Sequence, residues 1–183
     1  MSHTISSNWT WKNDSQINDE RLLGQEKEFD QFDVYADVAN APLRQHSIPV
    51  RMRLVKNMSG GTLPLGAAVL HAADTTYGPY VGVNTVAGAD SEKVAGFVPF
   101  WFPAVAAIGA IFPLVIQGPC KGLYVSAGNH ALGENLKSAA SGRLADWVKG
   151  TDEDTELIAE AMEAKTSGST DDQFWIYAKP MAV

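Results

Sequence analysis

The stretch FVPFWFPAVAAIGAIFPLVI, residues 97–116, contains no charged side chain and decides between a membrane and a globular fold. About 20 apolar residues suffice to cross a bilayer as a helix. Three prolines interrupt the stretch: Pro99, Pro103 and Pro113. Each removes a backbone donor and costs a helix interior about 3 kcal/mol, and lipid offers the freed carbonyls no partner. We therefore predict two buried strands, near residues 94–100 and 110–117, joined by a proline-containing loop in a soluble protein.

The composition indicates a globular domain and argues against several function classes. The 183 residues are 45% hydrophobic and 19% charged, which allows one sizeable core. A net charge of −7 without clustered Lys and Arg argues against binding to nucleic acid or to an anionic membrane. The single cysteine, Cys120, excludes an internal disulfide, and we predict that it is a buried apolar residue. The opening MSHTISSNWT has neither a basic nor an apolar run, so no signal peptide is expected.

A change in composition near residue 46 predicts an N-terminal arm at 1–46 and a β-rich domain at 47–183. The arm is polar and acidic, and it has too few large aliphatic side chains to build a core. It nevertheless carries several aromatic residues: Trp9, Trp11, Phe29, Phe32 and Tyr35. Exposed aromatic side chains are unusual without a use, so we predict that the arm is buried on a partner. The alternative is an unstructured tail, and in both cases the domain should fold without the arm.

The domain consists of short strand-like segments separated by turn residues. SIPVRMRLVKN alternates an apolar face, containing Val50, Met52 and Leu54, with a mostly basic face, as a half-exposed strand does. Further predicted strands are LPLGAAVLHA, YVGVNTV, KGLYVSA, RLADWVKG and QFWIYAKP. GNHALGENLKSAASG is predicted to be a turn-rich connection. Many short strands with glycine turns are typical of a mainly β fold, either a small β-barrel or a sandwich-like domain.

No residue pattern indicates catalysis or metal binding. The histidines His3, His46, His71 and His130 are dispersed and lack the spacing of a helical metal site. A phosphate-binding loop ending in Lys-Ser/Thr and a Gly-x-Ser-x-Gly elbow are both absent from the sequence. The acidic run TDEDTE lacks the alternating ligands and central glycine of a calcium loop. We therefore expect no enzymatic activity, no cofactor and no metal.

From about Val50 onward, the order of features resembles the capsid decoration (cement) proteins of tailed bacteriophages. VKNMSGGTLPLGAAVLHA resembles the opening strand and N-x-S-G-x-x-L-x-x-G-x-x-V turn of that family. IFPLVIQGPCKGLYV resembles its V-x-V-x-G-x-V hairpin, and LGENLKSAASGRLADW resembles its G-D-x-L-x-x-S-x-x-G-x-L stretch. TELIAEAMEA followed by DDQFWIYAKP resembles the two closing strands. The proline-rich loop and the long arm depart from the short family members.

The resemblance implies a small β-barrel-like domain, often trimeric, that binds the outside of a phage head. Its partners would be the major capsid protein and further copies of itself, with no nucleic acid or membrane involved. It would be made in the bacterial cytoplasm and reside on the capsid surface of the virion. We expect the contacts to come from the arm aromatics and from Trp101 and Phe102. The alternatives are another virion accessory or tail receptor-binding protein and a small-molecule-binding β-barrel.

The segment TELIAEAMEA, residues 155–164, carries conflicting signals. Glu, Ala, Leu and Met favour a helix, and the acidic residues before the segment suit a helix N-terminus. About 11 residues is marginal for a helix, however, and the apolar strand QFWIYAKP needs a neighbour along its edge. The family order also places a strand here. We predict a strand paired with QFWIYAKP.

Overall fold

The computed structural model describes residues 20–30, 48–74, 76, 78–85, 89, 94–100, 107–124, 129–166, 169 and 172–179. Within these ranges the chain forms ten strands and three short 3-10 turns, and no α-helix. The turns lie at Glu20–Leu22, Ala140–Gly142 and Asp154–Glu156. The strands are β1 (Glu26–Asp30), β2 (Pro49–Asn57), β3 (Ala68–Asp74), β4 (Gly78–Thr85), β5 (Val94–Phe97), β6 (Ile111–Tyr124), β7 (Asn135–Ser138), β8 (Arg143–Asp146), β9 (Ala159–Ala161) and β10 (Gln173–Ala178). The prediction of a mainly β fold is confirmed.

The strands form one sheet in the order β1-β2-β4-β3-β5-β6-β10-β9-β7-β8. Neighbouring strands are antiparallel except for the parallel pairs β2–β4 and β6–β8. The long strand β6 lies between two halves of the sheet, β2-β4-β3-β5 and β10-β9-β7-β8. The additional pairings β2–β6 and β6–β8 connect the far end of each half to β6 as well. The result is a sandwich-like arrangement rather than one closed barrel: among the described strands β1 pairs with β2 alone, whereas β8 pairs with both β7 and β6.

The two faces of the central strands pack into two separate hydrophobic clusters. On β2, Met52 lies in one cluster and Val55 in the other, and Val115 and Leu114 of β6 divide in the same way. All four side chains are buried. A strand that is buried on both faces reads as a continuous apolar run instead of an alternating one. This double burial explains why the part of the apolar run that lies in β6, residues 111–116, contains no charge.

The predicted pair of buried strands in this apolar run is confirmed. Phe97 at the end of β5 pairs with Val115 of β6, and the connecting loop includes the described residues 98–100 and 107–110. Among the residues that the structure describes, no helix is long and apolar enough to cross a membrane. Cys120 of β6 is buried as predicted, and this burial raises the pKa of its thiol.

The prediction of KGLYVSA as a separate strand is wrong, because its first residues are the end of β6. The strand continues through Gly118 and Pro119 and changes its antiparallel partner there, from β2 to β10. Gly118 has φ +104°, and a Cβ at this position would lie 2.4 Å from the carbonyl oxygen of Pro49. Glycine therefore permits the close contact at which β6 passes from one half of the sheet to the other.

The predicted basic face of β2 is only partly exposed. Arg51 is exposed, whereas Arg53 is buried. The register of β1 on β2 places Glu26 directly opposite Arg53, and the two form an ion pair with an Nη2–Oε1 distance of 2.5 Å. The expectation that the basic face of β2 is exposed was wrong at Arg53. The reason is that β1 supplies an acidic partner, which sequence periodicity does not reveal.

Part of the predicted arm belongs to the sheet. β1 lies at residues 26–30, inside the predicted arm, and Phe29 is buried in the larger hydrophobic cluster. Lys56 of β2 also binds Glu20, with an Nζ–Oε1 distance of 2.6 Å. The burial of Phe29 thus needs no partner protein. The boundary at residue 46 and the role of the other arm residues stay predictions, since residues 1–19 and 31–47 lie outside the described ranges.

The strand predicted within residues 155–164 is confirmed for its centre. β9 pairs antiparallel with β10, with Ala161 opposite Ile176, as the closing strand order implied. The acidic start of the segment instead forms a 3-10 turn, closed by reciprocal hydrogen bonds between Glu153 and Glu156. The turn-rich prediction for residues 128–142 missed β7, which pairs with both β8 and β9.

Candidate functional site

The loop between β5 and β6 is the segment in which sequence analysis placed Trp101 and Phe102 as partner contacts. Both residues lie outside the described residues, as do Trp9, Trp11, Phe32 and Tyr35. The structure describes both ends of the loop, residues 98–100 and 107–110. These two ends show how the sheet positions the loop.

An aromatic and cationic cluster holds the first end of the loop. The ring of Phe100 packs edge-on against Trp175 of β10, with 5.2 Å between ring centroids and an interplanar angle of 80°. The ammonium of Lys121 lies 5.0 Å from the centroid of Phe100 and 5.4 Å from that of Trp175. Both distances suit cation–π attraction. The loop therefore leaves β5 over β6 and β10.

Asn57 holds the other end of the loop and explains the N-x-S-G motif. Its side chain is buried, and its Nδ2 donates to the carbonyl oxygens of Gly61 and Ala107, each at 3.0 Å. Its Oδ1 accepts from the backbone N–H and the hydroxyl of Ser59, at 2.9 and 2.6 Å. One amide thus joins the turn after β2 to the loop before β6. Its buried polar atoms are satisfied at the same time.

The backbone of Asn57 completes this attachment. Its N–H donates to Ala110 at 2.9 Å, and its carbonyl oxygen accepts from the N–H of Gly109 at 2.8 Å. A turn from Ala107 to Ala110 closes with a 3.0 Å hydrogen bond. Ile108 at its tip remains 64% exposed, and the neighbouring Met58 is 38% exposed. We call Met58 and Ile108 with their two turns the apolar tip. It combines a fixed backbone with the solvent-facing side chain of Ile108 and the partly exposed Met58, whose sulfur packs against Gly82 of β4. Such a surface is suitable for a protein contact.

Sequence analysis missed Met58 and Ile108 because it weighted the large aromatic residues. The relevant signal was NMSGG, where a methionine occupies a turn that polar residues normally fill. Exposure at Ile108 is not visible in the sequence, since its neighbours are as apolar as those of a buried strand. The sequence predicted a loop between the two strands, and the hydrogen bonds of Asn57 show that residues 107–110 form a turn within it.

A second cluster, missed by sequence analysis, contains His130, Glu134 and Asp146. One ligand-capable atom from each residue lies within 4.8 Å of those of the other two. The Nδ1 of His130 is 2.5 Å from Oδ1 of Asp146. Asp146 lies at the end of β8, 16 residues further along the chain, so no local spacing motif could indicate the cluster.

Comparisons with known proteins give a distant structural likeness and no sequence family. No protein-family model matches the chain, and no curated protein matches it at a significant level. Among solved structures, the chain is similar to the N base of the head fiber gp8.5 of bacteriophage phi29. The sequence identity is 11% and the TM-score is 0.48, over 72% of this chain and 98% of that chain.

Proposed function

We propose that this chain is a structural virion protein that binds the outer surface of a tailed-phage head and stabilises the shell as a homotrimer. Its partners are the major capsid protein and two further copies of itself. It resides on the capsid surface after synthesis in the bacterial cytoplasm, and it performs no catalysis. A protein of this kind adds binding free energy across several shell subunits at once, and three linked copies turn weak single contacts into stable attachment.

The observation that carries the proposal is the order of sequence features that resembles decoration proteins, although IFPLVIQGPCKGLYV contributes one continuous strand, β6, and not the hairpin of that family. Two of these features have a defined structural role here. The N-x-S-G turn is built around the buried Asn57, and the two closing strands β9 and β10 pair with each other. The mainly β fold is also the class that the resemblance implies. These points support the proposal because the shared residues serve the fold, as expected of a scaffold that works by binding.

The test is to mix the purified protein with undecorated phage heads and to image the particles by cryo-electron microscopy. The expected result is density at regular, shell-wide positions on the outer surface, with three copies at each position. A few copies at the tail vertex would instead indicate a tail accessory protein. Particles without added density would contradict the proposal. Light scattering of the free protein and counting of copies on the particle would show whether the trimer forms before or during attachment.

The apolar tip gives this proposal a residue-level prediction. Ile108→Ser should weaken attachment to heads by about tenfold, because a central apolar anchor typically contributes more than 1 kcal/mol to binding. The control is Leu132→Ser, which alters a side chain that is 69% exposed in the turn before β7. Co-sedimentation with heads would measure both variants, and unchanged melting temperatures would show that the fold is intact. Equal binding by the two variants would exclude the tip as a contact.

A further inference from the structure

The cluster of His130, Glu134 and Asp146 brings one imidazole and two carboxylates together at the end of β8. Asp146 ends β8, whereas His130 and Glu134 lie at either side of a short turn that leads into β7. One candidate ligand atom from each of the three residues lies within 4.8 Å of the other two. Three candidate metal ligands, two from the turn before β7 and one from β8, therefore lie close together.

The backbone and packing around His130 fix the imidazole in place. Its N–H and carbonyl oxygen exchange hydrogen bonds with Lys165, each at 2.8 Å. Its ring stacks on Phe174 of β10, with centroids 5.1 Å apart and an interplanar angle of 17°. The side chain is fully buried, whereas that of Asp146 is 38% exposed. The imidazole is thus preordered, and the cluster is open to solvent on the side of the carboxylates.

The turn also orients Glu134. Its Oε2 accepts a hydrogen bond from the backbone N–H of Ala131 at 2.7 Å, and its own N–H donates to the carbonyl oxygen of Ala131 at 3.1 Å. A carboxylate held by a backbone donor retains its other oxygen and further lone pairs for a second partner. Outer hydrogen bonds of this kind typically orient the ligands of metal sites.

The donor set and its dimensions suit a divalent transition-metal ion. An imidazole nitrogen and two carboxylate oxygens are accepted ligands of Zn²⁺, at about 2.0–2.2 Å from the metal. Tetrahedral coordination at those lengths separates two ligand atoms by about 3.3 Å. The distance from Nδ1 of His130 to Oδ1 of Asp146 is 2.5 Å and would have to lengthen by less than about 1 Å to reach this separation. A rotation of the partly exposed Asp146 carboxylate can provide this change.

We propose that His130, Glu134 and Asp146 bind a divalent transition-metal ion, with Zn²⁺ as the ion that fits best and water as the fourth ligand. The role is structural. The ion joins the turn before β7 to the end of β8, and His130 extends the link to Lys165 beyond β9. This inference does not depend on the proposed virion function, since it concerns the stability of the chain itself.

The experiment uses the full-length protein, treated with EDTA, dialysed and titrated with Zn²⁺ in a calorimeter, with Mg²⁺ as the comparison ion. The expected result is one Zn²⁺ per chain and a higher melting temperature in the presence of Zn²⁺, with no response to Mg²⁺. Glu134→Gln is the decisive variant because it retains the contact between His130 and Asp146 and an amide oxygen that can accept from Ala131. It should weaken Zn²⁺ binding at least tenfold, and Asp146→Asn should do the same.

Glu160→Gln is the matched control, because Glu160 is a half-buried carboxylate on β9 outside the cluster. It should bind Zn²⁺ as the original protein does. Absence of Zn²⁺ binding to the original protein would overturn the proposal and leave a hydrogen bond between His130 and Asp146 as the purpose of the cluster. Equal affinity and equal thermal stabilisation in Glu134→Gln would overturn it as well, because the ion would then bind elsewhere.

Discussion

At the scale of single residues, the small residues Asn57 and Gly118 are important for this fold. Asn57 uses one amide to hold two loops, and it must be buried to do so. Gly118 has no side chain where β6 passes close to Pro49. Both residues act through the backbone of a distant segment. Their importance therefore follows from the contacts and not from hydrophobicity.

Gly118→Ala should destabilise the protein by about 3 kcal/mol. The left-handed backbone strains any residue with a side chain, and the new Cβ would overlap the carbonyl oxygen of Pro49. Equilibrium unfolding in urea would measure the change in the free energy of unfolding. Gly60→Ala serves as the control, because nothing lies within 4 Å of a Cβ at that position. A loss in Gly60→Ala as large as that in Gly118→Ala would show that clash and strain at Gly118 are not the cause.

At the scale of elements, ion pairs attach short strands and turns to the longer strands. Glu26 binds both Arg51 and Arg53 and so fixes β1 on β2. Asp152 links β7 to the turn after β8 by accepting from Lys137 at 2.7 Å and from the N–H of Val148 at 2.6 Å. Short elements have little apolar area of their own, so such contacts contribute to their position.

The Asp152 contact should make stability depend on pH. The hydrogen bond from Lys137, together with that from Val148, holds the pKa of the Asp152 carboxyl below its ordinary value. A lowered folded-state pKa means that this stabilisation is fully present above the unfolded-state value of about 3.9 and is lost as the pH falls through the folded-state value. Asp152→Asn should therefore lower the melting temperature at pH 7.

The same substitution should have a much smaller effect at pH values below the lowered folded-state pKa of Asp152, where the carboxyl of the original protein is protonated. Thermal melts monitored by circular dichroism across this range would measure the difference. Asp154→Asn removes an exposed carboxylate two residues further on and should give only a small change in melting temperature at pH 7. A constant difference between Asp152→Asn and the original protein at all pH values would contradict the assignment.

At the scale of the whole molecule, β6 connects the two halves of the sheet. It pairs with β2 and β5 in one half and with β10 and β8 in the other. Burial of both its faces gives the molecule two hydrophobic clusters rather than one. A chain organised in this way should unfold as one unit, because neither half has a complete set of strands without β6.

The position of β1 leads to different expectations for two N-terminal deletions. Deletion of residues 1–19 should leave the melting temperature nearly unchanged, because it spares β1. Deletion of residues 1–40 should destabilise the domain by about 3 kcal/mol or more, because it removes the buried Phe29 and the acidic partner of Arg53. Urea unfolding of both proteins would measure this difference. Equal stability of the two would show that β1 adds nothing to the domain, as a boundary at residue 46 requires.

Local sequence patterns determined the mainly β class, most strands and the identity of the apolar run as strands. Prolines interrupt a long helix. Alternation of apolar and polar residues indicates a strand with one buried face, and a short continuous apolar run is typical of a strand buried on both faces. These features depend on residues close together in the chain. The pairing of β9 with β10 was expected from the strand order that the resemblance implies more than from the residues, whose propensity favours a helix.

Only the tertiary structure decided which distant residues meet. Arg53 reads as a surface residue until β1 places Glu26 opposite it, and KGLYVSA reads as a new strand until Gly118 continues β6 through the bend. The apolar tip and the cluster around His130 depend in the same way on contacts between segments 16 to 50 residues apart. Periodicity reports which side of an element is buried, but it carries no information about the element that covers that side.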